Sequence, residues 1–488
     1  MNPRDNRRIF IFLGCYFLLH LLFKVLLADG VELDEAEQFL WAQDFRLGYG
    51  AELPLYTWLQ ASLFVLVGTN IFAVALLKNL LLFATCIFTY LGAREAAGNE
   101  RCASAAMLTL FFIPQIVFES QRVLTHMVLA TALAALALYF FLRLANSREL
   151  RYYLLFGFTA GLGMLAKYNF GIFLLALLLS ALSIPSLRPC LADRKSWAAL
   201  AVCLIVIAVP FSWMALHPAL AMAKSYKLHA AGGGGVPAGH LRGMVNLAGS
   251  AAAFASVPLL LYGLIFFRAP QVLPADTRSR EYARLTGRTI LIALTICLLL
   301  VFFFRVTQFR VRWMQPLLLP LPVFLSLMVR EKLSDRAFSA VRLIAACAAV
   351  AVLLLLNGRI LCASYFKPTS QNEPYSSLAA QIAGKGFTRG VIVAEGRYLA
   401  GNLRPHFPSA RIIAPDTPLV EPLTTPFSMP VLVVWDAEGK PAMPGELETF
   451  LLKSFGPLAR PTSPSYAEAP YRLAAGHTMR LGFVILTP

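Results

Sequence analysis

The run Tyr152-Tyr153-Leu154-Leu155-Phe156-Gly157-Phe158-Thr159-Ala160-Gly161-Leu162-Gly163-Met164-Leu165-Ala166 is followed by Lys167-Tyr168-Asn169 and then Phe170-Gly171-Ile172-Phe173-Leu174-Leu175-Ala176-Leu177-Leu178-Leu179-Ser180. It is either one bent apolar element or two membrane helices that turn back on each other at the polar triplet. A bilayer-spanning helix needs about 20 mostly apolar residues, because every backbone polar group must be satisfied within the segment. On that measure spans are expected near 9–28, 70–93, 103–118, 124–142, 152–166, 169–186, 197–215, 247–267, 287–304, 313–329 and 340–360. The hairpin reading makes eleven.

The loops decide in favour of the hairpin. Short cytoplasmic loops carry an excess of Lys and Arg. With the basic N-terminus (Arg4, Arg7, Arg8) inside, alternate connections carry Arg94/Arg101, Arg143/Arg148/Arg151, Arg188/Arg194/Lys195, Arg268 to Arg288 and Arg330/Lys332/Arg336/Arg342. All five are cytoplasmic only if the chain turns at 167–169. No small-residue cleavage site follows the first apolar run, so it reads as an uncleaved span.

Composition agrees. The 488 residues are 58% hydrophobic and 14% charged, with a mean hydropathy of +0.65. Soluble domains run at about 45–50% apolar and roughly 25% charged, which argues against a cytosolic globular enzyme. The hydrophobicity also excludes low-complexity disorder. The net charge of +17 sits in short runs between apolar stretches, whereas a nucleic-acid footprint needs basic charge gathered on one exposed face. Membrane lipids are therefore the expected surroundings, and nucleic acid is not an expected partner. Eight cysteines without CxxC or Cys/His spacing support neither a disulfide framework nor a zinc finger. No GxGxxG or GxxxxGK[ST] phosphate loop and no fixed-period repeat is present.

Three loops fall on the other, external side. The first, 29–60, carries Asp29, Glu32, Asp34, Glu35, Glu37, Asp44 and Glu52 against Arg46 alone. The second, 217–246, holds His217, Lys224, Lys227, His229, the Gly232 to Gly235 run and His240, and has the length of a mobile lid. The third, 305–315, holds Arg305, Arg310 and Arg312. Beyond the transmembrane domain, 1–360, residues 361–488 read as a small soluble α/β domain. Its β-rich runs at 391–394, 410–413 and 431–434 alternate with helical patterns near 375–385 and 444–455.

The strongest local signal for chemistry is Leu33-Asp34-Glu35-Ala36-Glu37-Gln38-Phe39-Leu40-Trp41. Acids at a helix start can simply complement its dipole. At the mouth of a membrane domain, partial desolvation also raises a carboxylate's proton affinity and suits it to general-base work.

Several stretches decide between these readings. Asp34-Glu35, Trp41, Leu47-Gly48-Tyr49 and Glu52-Leu53-Pro54-Leu55-Tyr56-Thr57-Trp58-Leu59 come first. Val123-Leu124-Thr125-His126-Met127-Val128-Leu129, Ala160 to Tyr168 and Thr307-Gln308-Phe309-Arg310-Val311-Arg312-Trp313-Met314-Gln315-Pro316 follow in order. Together they resemble the polyprenyl-phosphate-dependent membrane glycosyltransferases of the GT-C class. That class includes the dolichyl-phosphate-mannose protein mannosyltransferases and the aminoarabinose transferases, and the last stretch is most similar to the rhizobial galacturonosyltransferase-like branch. The resemblance covers roughly residues 1–330.

It implies a mainly α, GT-C-type polytopic bundle of about eleven spans with a small C-terminal α/β periplasmic domain, in a bacterial inner membrane, N-terminus cytoplasmic. Asp34 would be the catalytic base, and Glu35 would orient the acceptor or a neighbouring cation. Lys167, Arg305, Arg310 and Arg312 would bind the donor phosphate, arginine's planar fork suiting bidentate contact. Arg122, His126 and Tyr168 would line the substrate site. The resemblance implies at most a divalent metal as cofactor, held by Glu52 and, on loop order, His229. The chain departs from its relatives at Leu53, where they carry a phosphate-binding lysine, and at His126, where they carry an aspartate. Each cation has a second reading as a snorkelling interface residue. Trp41, Trp58 and Trp313 read first as interfacial anchors.

The expected function is inverting transfer of a sugar from a polyprenyl-phosphate donor to a lipid or glycan acceptor such as lipid A or lipopolysaccharide core. Two other readings stand beside it. A transporter or flippase of polyprenyl-linked sugars predicts internal repeats and midplane charges. A non-catalytic envelope-assembly subunit would use the tail as its binding module.

Overall fold

The computed structural model describes residues 3–229, 236–267, 276–417, 429–439, 442–455 and 463–486. The Gly232 to Gly235 run and Arg268 lie outside the described residues.

The chain is mainly helical and divides into two compact units. Unit 1 comprises residues 1–18, 50–56 and 78–352, and unit 2 comprises 19–49, 57–77 and 353–488. Four helices open the chain: α1 (Pro3–Leu27), α2 (Leu33–Trp41), α3 (Leu55–Val67) and α4 (Ile71–Ala97).

By length and composition, seven helices among the described residues suffice to cross a bilayer, or nine if two bent pairs each count as one span. The bent pairs, Glu100–Phe112 with Gln115–Arg122 and Val311–Leu317 with Pro320–Met328, turn by 71° and 64°. The bent pairs fall on the expected spans near 103–118 and 313–329, so the shortfall from eleven lies in the hairpin helices. The hairpin itself is present: Leu150–Met164 and Tyr168–Leu182 are separate helices, and Lys167 between them is extended. Fifteen residues each make rods of about 22 Å at 1.5 Å per residue, too short for the length criterion.

Unit 1 is a helical bundle closed by small residues. A Cβ on Gly157 would lie 2.1 Å from the Ala199 carbonyl oxygen, and one on Gly161 2.7 Å from the Val206 side chain. Glycines here let Leu150–Met164 and Lys195–Leu216 approach closely, as small residues do at membrane helix interfaces. Gly157→Val should force these helices apart, at a cost of about 1–3 kcal/mol or more. The check is a lower thermal midpoint of the detergent-solubilised protein; an unchanged midpoint contradicts the packing argument.

The basic loops assigned to one side do meet. Glu95 accepts from Arg143 and Arg278, both at 3.0 Å. Arg101 pairs with Asp335, and Asn6 donates to Glu100 at 2.8 Å.

Unit 2 is built on a five-stranded mixed sheet. The strands are β1 (Gly390–Ala394), β2 (Ala410–Ile413), β3 (Val431–Asp436), β4 (Ser465–Pro470) and β5 (Thr478–Leu486), in spatial order β2-β1-β3-β5-β4. β1 pairs in parallel with β2 and β3, and β5 runs antiparallel to β3 and β4. The helices Tyr375–Gly384, Arg397–Leu403 and Gly445–Phe455 accompany it. β1 to β3 follow the sequence pattern, whereas β4, β5 and Arg397–Leu403 are additions to it.

The division of the chain also differs from a boundary at 360. Leu40, Trp41 and Tyr49 are buried in one cluster with Ile392, Ala410, Leu432 and Leu481 of the sheet. The physical reason is α2, which buries seven of its nine residues. An amphipathic helix must cover its apolar face, and here C-terminal elements supply the cover.

Candidate active site

In unit 1, the segment 50–56 brings Glu52 to the break of the hairpin. The Leu55 amide donates to the Leu165 carbonyl at 3.3 Å. Lys167 Nζ donates to Glu52 Oε2 at 2.6 Å, and Lys224 Nζ donates to Oε1 at 2.8 Å. Burial on its own would raise the Glu52 carboxyl, but the two ammonium groups hold it well below the usual carboxylate range. Two cations against one carboxylate leave the cluster with one net positive charge. His126 is buried nearby, its ring 5.3 Å from that of the fully buried Tyr56.

Lys224 is placed by its own loop. It lies between Pro218–Ala221 and the 3-10 turn Ser225–Leu228. The amides of Thr307 and Gln308 both donate to the Leu228 carbonyl, at 2.9 and 3.1 Å. Asn246 donates to the Thr307 carbonyl at 2.7 Å, and Asn169 donates to the Trp313 carbonyl at 2.9 Å. The segments 217–229 and 305–313 and the hairpin turn are thus stitched into one end of the bundle.

The expected residues divide here. Lys167, Glu52 and His126 come together, and Tyr168 follows Lys167 directly, itself exposed. Arg305 and Arg310 are exposed and Arg312 is half-buried, and none of the three forms an ion pair among the described residues. Arg305 caps its helix in the left-handed conformation, φ 53°. Arg122 pairs with Glu119 at 3.2 Å. His229 Nε2 lies 3.4 Å from the Phe304 carbonyl oxygen.

A divalent ion does not fit Glu52. Both its oxygens are taken by ammonium groups, and no group of three or more His, Cys, Asp or Glu among the described residues could hold a metal. Hard cations need several oxygen ligands, and two adjacent ammoniums repel them.

In unit 2, Asp34 and Glu35 occupy the first turn of α2. Glu35 is 1% exposed and accepts from Lys24 Nζ of α1 at 2.9 Å. Asp34 is half-buried. Of the pair, Asp34 is thus the carboxylate that keeps contact with solvent.

Three cations were not singled out from the sequence as site residues. Lys224 and Lys24 are ordinary loop and span-end lysines until their partners are known, and Glu52 lies 172 positions from Lys224. Lys78 is the third, 1% exposed within α4 with Nζ 3.4 Å from the Gln121 carbonyl oxygen. An ionisable group at membrane depth is the one signal that would have flagged it.

Comparison with known proteins agrees with this architecture. Residues 51–213 match the dolichyl-phosphate-mannose-protein mannosyltransferase family. The chain is 31% identical over 481 residues to the lipopolysaccharide core galacturonosyltransferase RgtB of Rhizobium johnstonii, covering 97% of this chain and 96% of that one. It is 30% identical over 435 residues to RgtA, a lipopolysaccharide core galacturonosyltransferase of the same organism, covering 87% and 86%. The fold is similar to that of ArnT from Cupriavidus metallidurans bound to undecaprenyl phosphate, with a TM-score of 0.62, 12% identity and 97% of each chain covered. With the helical membrane bundle, the small C-terminal sheet and a full-length relative above 30% identity, the chain belongs to the lipopolysaccharide core galacturonosyltransferase family, a branch of the GT-C membrane glycosyltransferases.

Proposed function

We propose that this glycosyltransferase moves a sugar, by analogy with its relatives galacturonic acid, from a polyprenyl-phosphate donor to an acceptor hydroxyl of lipopolysaccharide core or lipid A at the periplasmic face. The observation that carries the reading is the Lys167–Glu52–Lys224 cluster. A largely buried carboxylate between two ammoniums fixes both cations and leaves a net positive charge where a leaving phosphate develops its own. Preorganised charge of this kind stabilises a transition state without reorganising. The undecaprenyl phosphate bound by the ArnT relative supports a lipid-linked donor.

Asp34 acts as the base. It takes the proton from the acceptor hydroxyl as that oxygen forms its bond to the anomeric carbon. The bond from that carbon to the phosphate oxygen breaks, and the phosphate leaves with the electron pair. Attack opposite the leaving group inverts the anomeric centre. A donor carrying its own activated phosphate ester needs no nucleotide site.

The test is steady-state kinetics of the full chain in nanodiscs, with undecaprenyl-phosphate galacturonic acid as donor and purified core lipopolysaccharide as acceptor. Removing one charge-assisted hydrogen bond costs about 1.5–3 kcal/mol, so Lys167→Ala and Lys224→Ala should each lower kcat/KM for the donor by about 10- to 100-fold. An unchanged kcat/KM in both variants removes the phosphate role from this cluster.

A further inference from the structure

Within unit 2, the C-terminal residues touch α2 at more points than a tethered binding module requires. Asn402 Oδ1 accepts from the Val31 amide at 2.8 Å, and its Nδ2 donates back to the Val31 carbonyl at 3.2 Å. Val31 and Asn402 are 1% and 3% exposed. One position earlier, a Cβ on Gly401 would lie 2.1 Å from the Ala36 carbonyl oxygen, so only glycine admits this contact. Arg397 donates to Glu37 and, through Nε at 2.8 Å, to Asp416. Val31, Ala36 and Glu37 bracket Asp34 on both sides in sequence. The single short helix Arg397–Leu403 makes all of these contacts.

We propose that Arg397, Gly401 and Asn402 are positioning residues for the transferase: they hold the backbone on which Asp34 rides, and set the rate of the chemical step and not the affinity for donor. The proposal rests on the reading of Asp34 as base given above. The physical warrant is that a base must be held within hydrogen-bond reach of the proton it removes, and small misplacement is costly in rate. Asn402 fixes the segment entering α2 through both the amide and the carbonyl of Val31. Arg397 fixes the helix itself through a carboxylate one turn on from Asp34. The C-terminal domain would therefore be part of the catalytic apparatus.

The experiment uses the full chain in nanodiscs with undecaprenyl-phosphate galacturonic acid and core lipopolysaccharide, normalised to folded enzyme. Asn402→Ala and Arg397→Lys should lower kcat about tenfold or more while the donor KM stays within about twofold. Asn402→Asp, which keeps the acceptor for the Val31 amide, should recover part of the loss. The double variant Asp34→Asn/Asn402→Ala should be no slower than Asp34→Asn alone, because the clamp acts through that carboxylate. Unchanged kcat in both Asn402→Ala and Arg397→Lys overturns the proposal, and so does a double variant whose losses multiply. If Asp34→Asn itself turns over normally, the assignment of the base fails instead, which distinguishes the two.

Discussion

Asp34→Asn should lower sugar transfer by about 10²- to 10⁴-fold, the usual contribution of a positioned general base. Asparagine keeps the side-chain volume and leaves the neighbouring pairs, Glu35 with Lys24 and Glu37 with Arg397, in place. The variant should therefore express and fold as the parent does, and its donor KM should stay close to the parental value. The measurement is kcat in reconstituted membranes, with the thermal midpoint recorded beside it. Retained turnover in a folded variant would show that another group removes the acceptor proton. The same assay separates an enzyme from a flippase or an assembly subunit, because neither of those needs a base at this position.

The second large effect belongs to Glu52. Its side chain is 12% exposed and those of Lys167 and Lys224 are each 26% exposed. Glu52→Gln leaves two largely buried ammoniums facing each other without a counter-charge. Removing one partner of a buried ion pair costs about 3–5 kcal/mol, so the thermal midpoint should fall clearly. Added undecaprenyl phosphate should restore it, and raise it more in the variant than in the parent, because the phosphate then supplies the missing negative charge. A variant as stable as the parent, or one that the lipid phosphate does not rescue, contradicts this account.

The pH dependence has a definite sign. The folded carboxyl is held below its ordinary value. Its stabilisation is fully present above the unfolded value of about 4.3, and is lost as pH falls through the folded value. Stability from this source should be flat from pH 8 down to about 5 and decline only in stronger acid. Glu52→Gln should lack that decline.

How much of this was legible in the sequence depends on range. The hairpin at Lys167 could be read because loop charge and apolar length are local properties summed along the chain, and the strands at 391–394, 410–413 and 431–434 could be read for the same reason. The two bends were not legible, because turns of 71° and 64° inside apolar runs leave no mark on hydropathy. β4 was missed because Tyr466 and Glu468 alternate with small residues and carry no aliphatic run, whereas β5 was missed although it ends in the apolar run Phe483-Val484-Ile485-Leu486. At the site, Glu52 and Lys167 stood out by resemblance, but their mutual ion pair did not, since it joins residues 115 positions apart. The same holds for α2. Its acids read as a catalytic cluster, while the structure gives Glu35 to Lys24 and Glu37 to Arg397 as ion-pair partners.

The pairing of Val31 with Asn402 sets a constraint on biogenesis. The two residues are 371 positions apart. At about 5–20 residues per second, a ribosome needs roughly twenty seconds to over a minute to make the second after the first. Throughout that interval Leu40 and Trp41 have no sheet to pack against, and the nascent acidic helix must wait beside the translocation machinery with its apolar face uncovered. Truncating the last strands would therefore harm the opening loop as much as the tail, and chaperone depletion should strike this early segment first.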